Sequence, residues 1–321
     1  MGRKSGKSVK SKQFLGPIFL ILAAMVWGVS FVAQDLASDS VEAFTFNGLR
    51  MTLGGAILIP VVAIKNRGSL FLQVPEKKDK IHLLKGGIVC GLLVFCAAYF
   101  QQAGIEAGTS AGKSGFITAM YVVLVPLVGI FVGKKVRLSV WACVLCAVTG
   151  LYFLCMASFD DGFSGIVRNL SFEKGDFLTF LCAICFTFHI IAVDHFAPGT
   201  DGVFLSAIQF LFAGILGIVF MFLLESPTWE GVRLAGGAIL YAAVFSCGVG
   251  YTFQILGQSS TPPAIASLLM CLESVFAVLS DALFLKTPMT AEEICGCILM
   301  FAAISASNLV DFFPTRKKEK R

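Results

Sequence analysis

Apolar residues recur along this chain in ten runs of roughly twenty, and each run is apolar on every face rather than on one stripe. They cover approximately 14–33, 43–64, 83–102, 111–132, 140–154, 176–193, 203–224, 234–256, 263–285 and 291–310. About 20 such residues cross about 30 Å of hydrocarbon as an α-helix, so the pattern predicts ten membrane-spanning helices. A β-barrel would instead alternate polarity over segments of about ten residues. The expected fold class is therefore an all-α integral membrane protein. Tails and connections are too short for a folded soluble domain, so any activity must reside among the helices.

Composition agrees. The 321 residues are 57% hydrophobic and only 14% charged, against about a quarter charged in soluble domains, and the mean hydropathy is +0.84. The 31 Phe and 32 Gly suit helices that meet lipid and approach one another through small residues. Disorder, coiled coils and secreted disulfide scaffolds are excluded.

Charge sets the expected threading. Nineteen of the 25 basic residues fall in the N-terminal tail, the second and fourth connections and the C-terminal tail. The first, fifth and seventh connections carry acidic residues, among them Asp35, Asp39, Glu173 and Glu225. Basic flanks stay cytoplasmic, which predicts both termini inside and an even number of spans. The net charge of +5 then reflects orientation, with no nucleic-acid partner implied. The first apolar run is too long for a cleaved leader and lacks a small-residue exit. No lipidation signal stands at either end, and Asn169-Leu170-Ser171 is a glycosylation acceptor only along a eukaryotic secretory route.

The two halves match one another. At an offset of 152, Tyr99 and Gln102 fall on Tyr251 and Gln254, and Thr109 falls on Thr261; at 159, the stretch from Leu22 to Trp27 falls on that from Leu181 to Phe186. Five spans per half is an odd number, so the halves are threaded oppositely. Such inverted repeats place a site at their interface that can be exposed alternately to either face, the signature of a secondary carrier.

Several motifs then become informative together: Trp27-Gly28-Val29-Ser30-Phe31, Asn47-Gly48-Leu49-Arg50, the stretch from Thr109 to Tyr121 leading to Val125-Pro126, and Leu272-Glu273-Ser274-Val275-Phe276-Ala277. In order and spacing the chain resembles the EamA family of the drug/metabolite transporter superfamily over nearly its whole length. The resemblance implies two five-helix repeats, 14–154 and 176–310, flanked by basic tails (1–13 and 311–321) and an external connection (155–175). It also implies a permease for small metabolites, often amino acids or related solutes, across the cytoplasmic membrane and frequently outward. The chain departs from the family at Phe186, where the second repeat usually has Trp, and at Ser274, where Pro usually follows the Glu. Without that Pro the resemblance supplies no kink in the ninth span.

Ionisable groups inside hydrocarbon are costly and so are functional candidates. Glu273 lies ten residues into the ninth span, on a polar stripe with Ser267, Ser274, Ser280 and Asp281; it would meet a cationic group or a proton, or else merely hydrogen-bond to backbone. His189 could couple protons near neutral pH or serve packing. Arg50, about 10 Å inside the second span, would hold a substrate carboxylate or snorkel outward. Lys113 heads a face with Ser114, Thr118 and Tyr121 in the fourth span, the repeat partner of the ninth. It would snorkel while the face below it lines a pathway. Tyr99, Gln102, Tyr251 and Gln254 offer rings and amides, or simply anchor at the interface. Trp27 and Ser30 offer a cavity wall or packing.

Cys143-x-x-Cys146 and Cys182-x-x-Cys185 lie inside predicted spans without a completing His or carboxylate, so packing is expected rather than metal. Neither nucleotide-binding nor hydrolase motifs occur, and neither cofactor nor catalytic residue is expected. The expected partners are a small-molecule substrate, the lipid bilayer, a coupling proton and, since carriers of this size work as monomers or dimers, a second copy of the chain. Two rivals remain: a membrane enzyme acting on a lipid-linked substrate, which should cluster acid, base or metal ligands at one interface, and a non-transporting membrane regulator or scaffold, which should turn its polarity outward.

Overall fold

The computed structural model describes residues 3–66, 77–109, 111–134, 136–156, 173–280, 282–283, 286 and 288–312. Asp281, Asn169 and most of the fifth connection lie outside them. Among the described residues the regular elements are all helical: α1 (Arg3–Ser38), α2 (Ala43–Lys65), α3 (Lys77–Glu106), α4 (Ala111–Thr118), α5 (Tyr121–Phe131), α6 (Leu138–Cys155), α7 (Lys174–Phe196), α8 (Gly202–Leu224), the short α9 (Trp229–Leu234), α10 (Gly236–Tyr241), a π-helical segment (Ala242–Gly250), α11 (Tyr251–Gln258), α12 (Pro263–Met270), α13 (Leu272–Ser280) and α14 (Ala291–Phe312). Nine spans within them are long and apolar enough to cross a membrane, and α14, with 22 residues, is the tenth helix of that order.

These segments become helices because lipid offers no partner for backbone N–H and C=O groups, and a helix satisfies them internally. The ends, where four donors stay free, are capped by residues from neighbouring spans as well as local ones. The Glu225 carboxylate, at the far end of α8, accepts from the Phe44 and Thr45 amides at 2.6 and 2.7 Å and so caps α2. At the other end of that helix pair Lys65 meets Asp201 at 2.9 Å, and Asp201 in turn caps α8. Spans 2 and 7 are thus tied at both ends. Spans 4 and 6 are tied likewise, by Lys113–Asp176 at 2.6 Å near one face and by Lys134–Asp194 near the other.

Packing follows the repeat. Gly16 of α1 meets Gly257 and Thr261, while Gly175 of α7 meets Gly104 and Thr109. Gly16 and Gly175 are 159 apart, and Thr109 and Thr261 are 152 apart, so one seam occurs twice, on opposite faces. Close approach is possible only because no Cβ intervenes: one added to Gly16 would stand 2.5 Å from Thr261 Oγ1, and one added to Gly175 would collide with Thr109 Oγ1. Gly54, Gly55, Gly86 and Gly87 are likewise packed against neighbouring spans, but Gly236 and Gly237 have nothing within 4 Å of such a Cβ.

Contacts between repeat mates define the axis. Tyr121 touches Glu273 and Ala119 touches Cys271, each pair 152 residues apart. Cys146 of α6 reaches Leu299 of α14, 153 apart. Spans 4 and 9 both break at this level: α4 stops at Thr118 and α5 starts at Tyr121, α12 stops at Met270 and α13 starts at Leu272. Tighter i→i−3 bonds bridge both breaks, from the Met120 amide to the Ile117 carbonyl and from the Ser274 amide to the Cys271 carbonyl. The ninth span is therefore interrupted at Cys271 although Ser274 stands where the resemblance would place Pro.

Candidate functional site

A cavity lies where these broken spans cross spans 1, 2, 3, 6 and 8. Its depth follows from the helices: Glu273 is ten residues from the start of span 9, and Arg50 seven from the start of span 2. Two polar regions line it. One is acidic, with the buried Glu273 carboxylate (7% exposed) accepting from the Tyr121 hydroxyl at 3.1 Å. The other is basic, with the Arg50 guanidinium (5% exposed) donating through Nε to Asn47 Oδ1 at 2.9 Å and lying 5.0 Å over the Phe46 ring. The Asn47 amide is anchored on the Ala98 carbonyl. Arg50 thus points into the bundle instead of snorkelling, and the described ion pairs do not include it.

Aromatic surfaces form much of the remaining wall: Trp27, Phe31, Phe186 and Tyr251. Trp27 and Tyr251 pack with ring centroids 4.7 Å apart. Gly250 permits this, since a Cβ there would stand 2.6 Å from Trp27 Nε1. Among the described residues that indole N–H has no hydrogen-bond partner, nor does Gln254 Oε1, although both residues line the cavity. Buried polar atoms without partners are expensive, and a polar ligand would relieve them. Ser30 donates to Val26 O and Gln101 donates to Thr118 Oγ1, completing a mixed wall.

Of the residues singled out from sequence, Trp27, Ser30, Arg50, Thr118, Tyr121, Tyr251, Gln254 and Glu273 line this cavity. Others lie behind it or away from it. Tyr99 stacks on Phe44 at 4.2 Å. Among the described residues the buried Gln102 amide and the buried Ser114 hydroxyl have no hydrogen-bond partner, Ser274 is buried, and Ser267 bonds back to Ala264 O. His189 meets Gln209 at 3.2 Å behind the Tyr251 ring. Lys113 pairs with Asp176 rather than reaching solvent alone.

The structure adds Gln34, Gln101, Phe186 and Ser246. Gln34 was within reach of a sequence reading, one helical turn beyond Ser30. Gln101 was obscured by its neighbour, because the repeat alignment selects Gln102. Ser246 sits in the π segment, where the extra residue per turn moves the inward face off the 3.6 period. The Cys-x-x-Cys pairs lie within α6 and α7 as free thiols, Cys146 donating to a backbone carbonyl. Among the described residues no cluster of three or more His, Cys, Asp or Glu is arranged to hold a metal.

Comparison with known proteins gives one consistent result. The profile of the EamA-like transporter family matches residues 14–156 and 173–309. An uncharacterized transporter from Archaeoglobus fulgidus is 28% identical over 304 residues, covering 94% of this chain and 88% of its own. The uncharacterized transporter YoaV of Bacillus subtilis is 22% identical over 291 residues, covering 89% and 94%. A crystal structure with a TM-score of 0.72 and 17% identity covers 92% of this chain and 98% of its own, which supports the fold alone.

Proposed function

Given that the chain belongs to the EamA-like transporter family and is a multi-pass membrane transporter rather than an enzyme, we propose that it moves a small zwitterionic metabolite, an amino acid or close relative, by alternating access. One observation carries the substrate class: Glu273 and Arg50 line a single cavity from different spans, and the ion pairs among the described residues do not include Arg50. An ammonium on the Glu273 carboxylate and a carboxylate on the Arg50 fork would satisfy both, leaving the aromatic wall for an apolar side chain.

The threading that basic flanks prefer puts both termini in the cytoplasm and the carrier in the cytoplasmic membrane, where outward movement of surplus metabolite is the proposed direction. A proton that replaces the ammonium on Glu273 would couple transport to the pH gradient. His189, held behind the cavity wall by Gln209, is the second candidate for that proton.

Counterflow of labelled L-phenylalanine and L-leucine in proteoliposomes tests this reading. Wild-type protein should exchange at least one of them. Glu273→Gln should lose about tenfold to a hundredfold in affinity, the worth of a charge-assisted hydrogen bond of about 1.5–3 kcal/mol. Wild-type exchange that persists unchanged in both Glu273→Gln and Arg50→Gln would remove the basis for the zwitterion.

A further inference from the structure

Two residues that occupy equal positions in two repeats and also touch each other must lie at the axis relating those repeats. Tyr121 and Glu273 do so through a hydrogen bond of 3.1 Å, and Ala119 and Cys271 do so beside them, the thiol 3.8 Å from the carbonyl. The breaks in spans 4 and 9 fall at the same level, so the axis, both helix breaks and the cavity-lining Glu273 coincide.

In an inverted-repeat carrier the two access states are related by the repeats exchanging conformations about that axis. An off-axis contact is then traded for its mate: Gly16 against Thr261 exchanges roles with Gly175 against Thr109. A contact between mates is carried onto itself. Resting on the alternating-access reading above, we propose that Tyr121 is a positioning residue that holds the Glu273 carboxylate at the axis in both access states, with the turns at 119–120 and 271 as the fulcrum.

The consequence is thermodynamic. A ligand shifts a two-state equilibrium only through contacts that differ between the states. A carboxylate held identically in both strengthens binding from either face and leaves the direction of transport to off-axis contacts. The cationic end of the substrate would meet the same oriented acceptor before and after the switch, while the aromatic wall around it rearranges.

The test measures KM and maximal rate for labelled L-phenylalanine from each face, using wild-type and Tyr121→Phe protein reconstituted in one orientation and then the other. Phe keeps the ring and removes only the hydroxyl. KM should rise about tenfold at both faces, the maximal rate staying within about twofold; lost packing would instead lower the rate and the yield of folded protein. A rise at one face only would assign the contact to one state and overturn the proposal, as would no rise at either face. A second arm joins the thiol introduced by Ala119→Cys to the native Cys271 in a chain otherwise freed of cysteine. Transport surviving the cross-link supports the fulcrum; arrest by the cross-link, or failure of the two thiols to join, refutes it. A wild-type protein that transports nothing would instead bring down the carrier reading itself.

Discussion

The seam between spans 3 and 6 and the seam between spans 1 and 8 share a backbone geometry, yet they are held by different chemistry. In each a glycine pair brings two helices together beside a threonine. On the face bearing the acidic connections, Thr109 donates to Asp176 Oδ1 at 3.0 Å, while Asp176 Oδ2 takes Lys113 at 2.6 Å and the Glu173 amide at 2.8 Å. On the other face the mates of Asp176 and Lys113 are Pro17 and Ile265, and the buried Thr261 hydroxyl has no hydrogen-bond partner among the described residues. The two seams share the small residues that close packing in lipid demands but not the polar lock. Around Asp176 the seam is held by hydrogen bonds and an ion pair, whereas around Gly16 and Thr261 it is held by van der Waals contact.

The largest expected effect breaks that inequality. Asp176→Ala removes the buried carboxylate on which Lys113, the Thr109 hydroxyl and the Glu173 amide converge, and should cost about 3–5 kcal/mol, read as a fall in thermal midpoint in detergent. Thr261→Ala, on the opposite seam, should leave the midpoint nearly unmoved. Gly16→Ala and Gly175→Ala test what the seams share. Each forces a Cβ onto a threonine hydroxyl, so both should destabilise by a similar ~1–3 kcal/mol, visible as faster proteolysis; a large effect at only one would show that the seams do not bear equal packing. The finest comparison is Thr109→Val against Thr261→Val. The first removes a hydrogen bond to a carboxylate, worth about 1.5–3 kcal/mol, whereas the second removes an unpaired buried hydroxyl and should be neutral or slightly stabilising in the same denaturation assay.

Much of the fold was legible in the order of residues, because lipid imposes a length and an all-round apolarity that no soluble context requires. The ten runs and the two repeats could both be read there. Glu273 was equally legible as a candidate, since a carboxylate ten residues inside an apolar run is costly. What escaped was rotational register. Tyr99 and Tyr251 align in sequence, yet Tyr99 stacks on Phe44 whereas Tyr251 faces Trp27 in the cavity. The π segment that precedes Tyr251 has no counterpart in α3, and a nine-residue change of helical pitch cannot be read from hydropathy. Pairings between distant spans were also hidden: Lys113 and Asp176 are 63 residues apart, and only the packing of span 4 on span 6 brings them together.

The central claim is that one cavity holds both ends of a zwitterion, Glu273 taking the cation and Arg50 the anion. Thermal unfolding of the purified protein against L-phenylalanine, phenylpyruvate and phenethylamine tests it directly, because the last two each lack one charged group of the first. A ligand at 100 times its dissociation constant that binds only the folded state stabilises by about 2.7 kcal/mol. The account predicts a midpoint rise with the amino acid, a much smaller one with either analogue, and a rise cut to about half or less in Glu273→Gln. Equal rises with all three ligands, or an undiminished rise in Glu273→Gln, would contradict it.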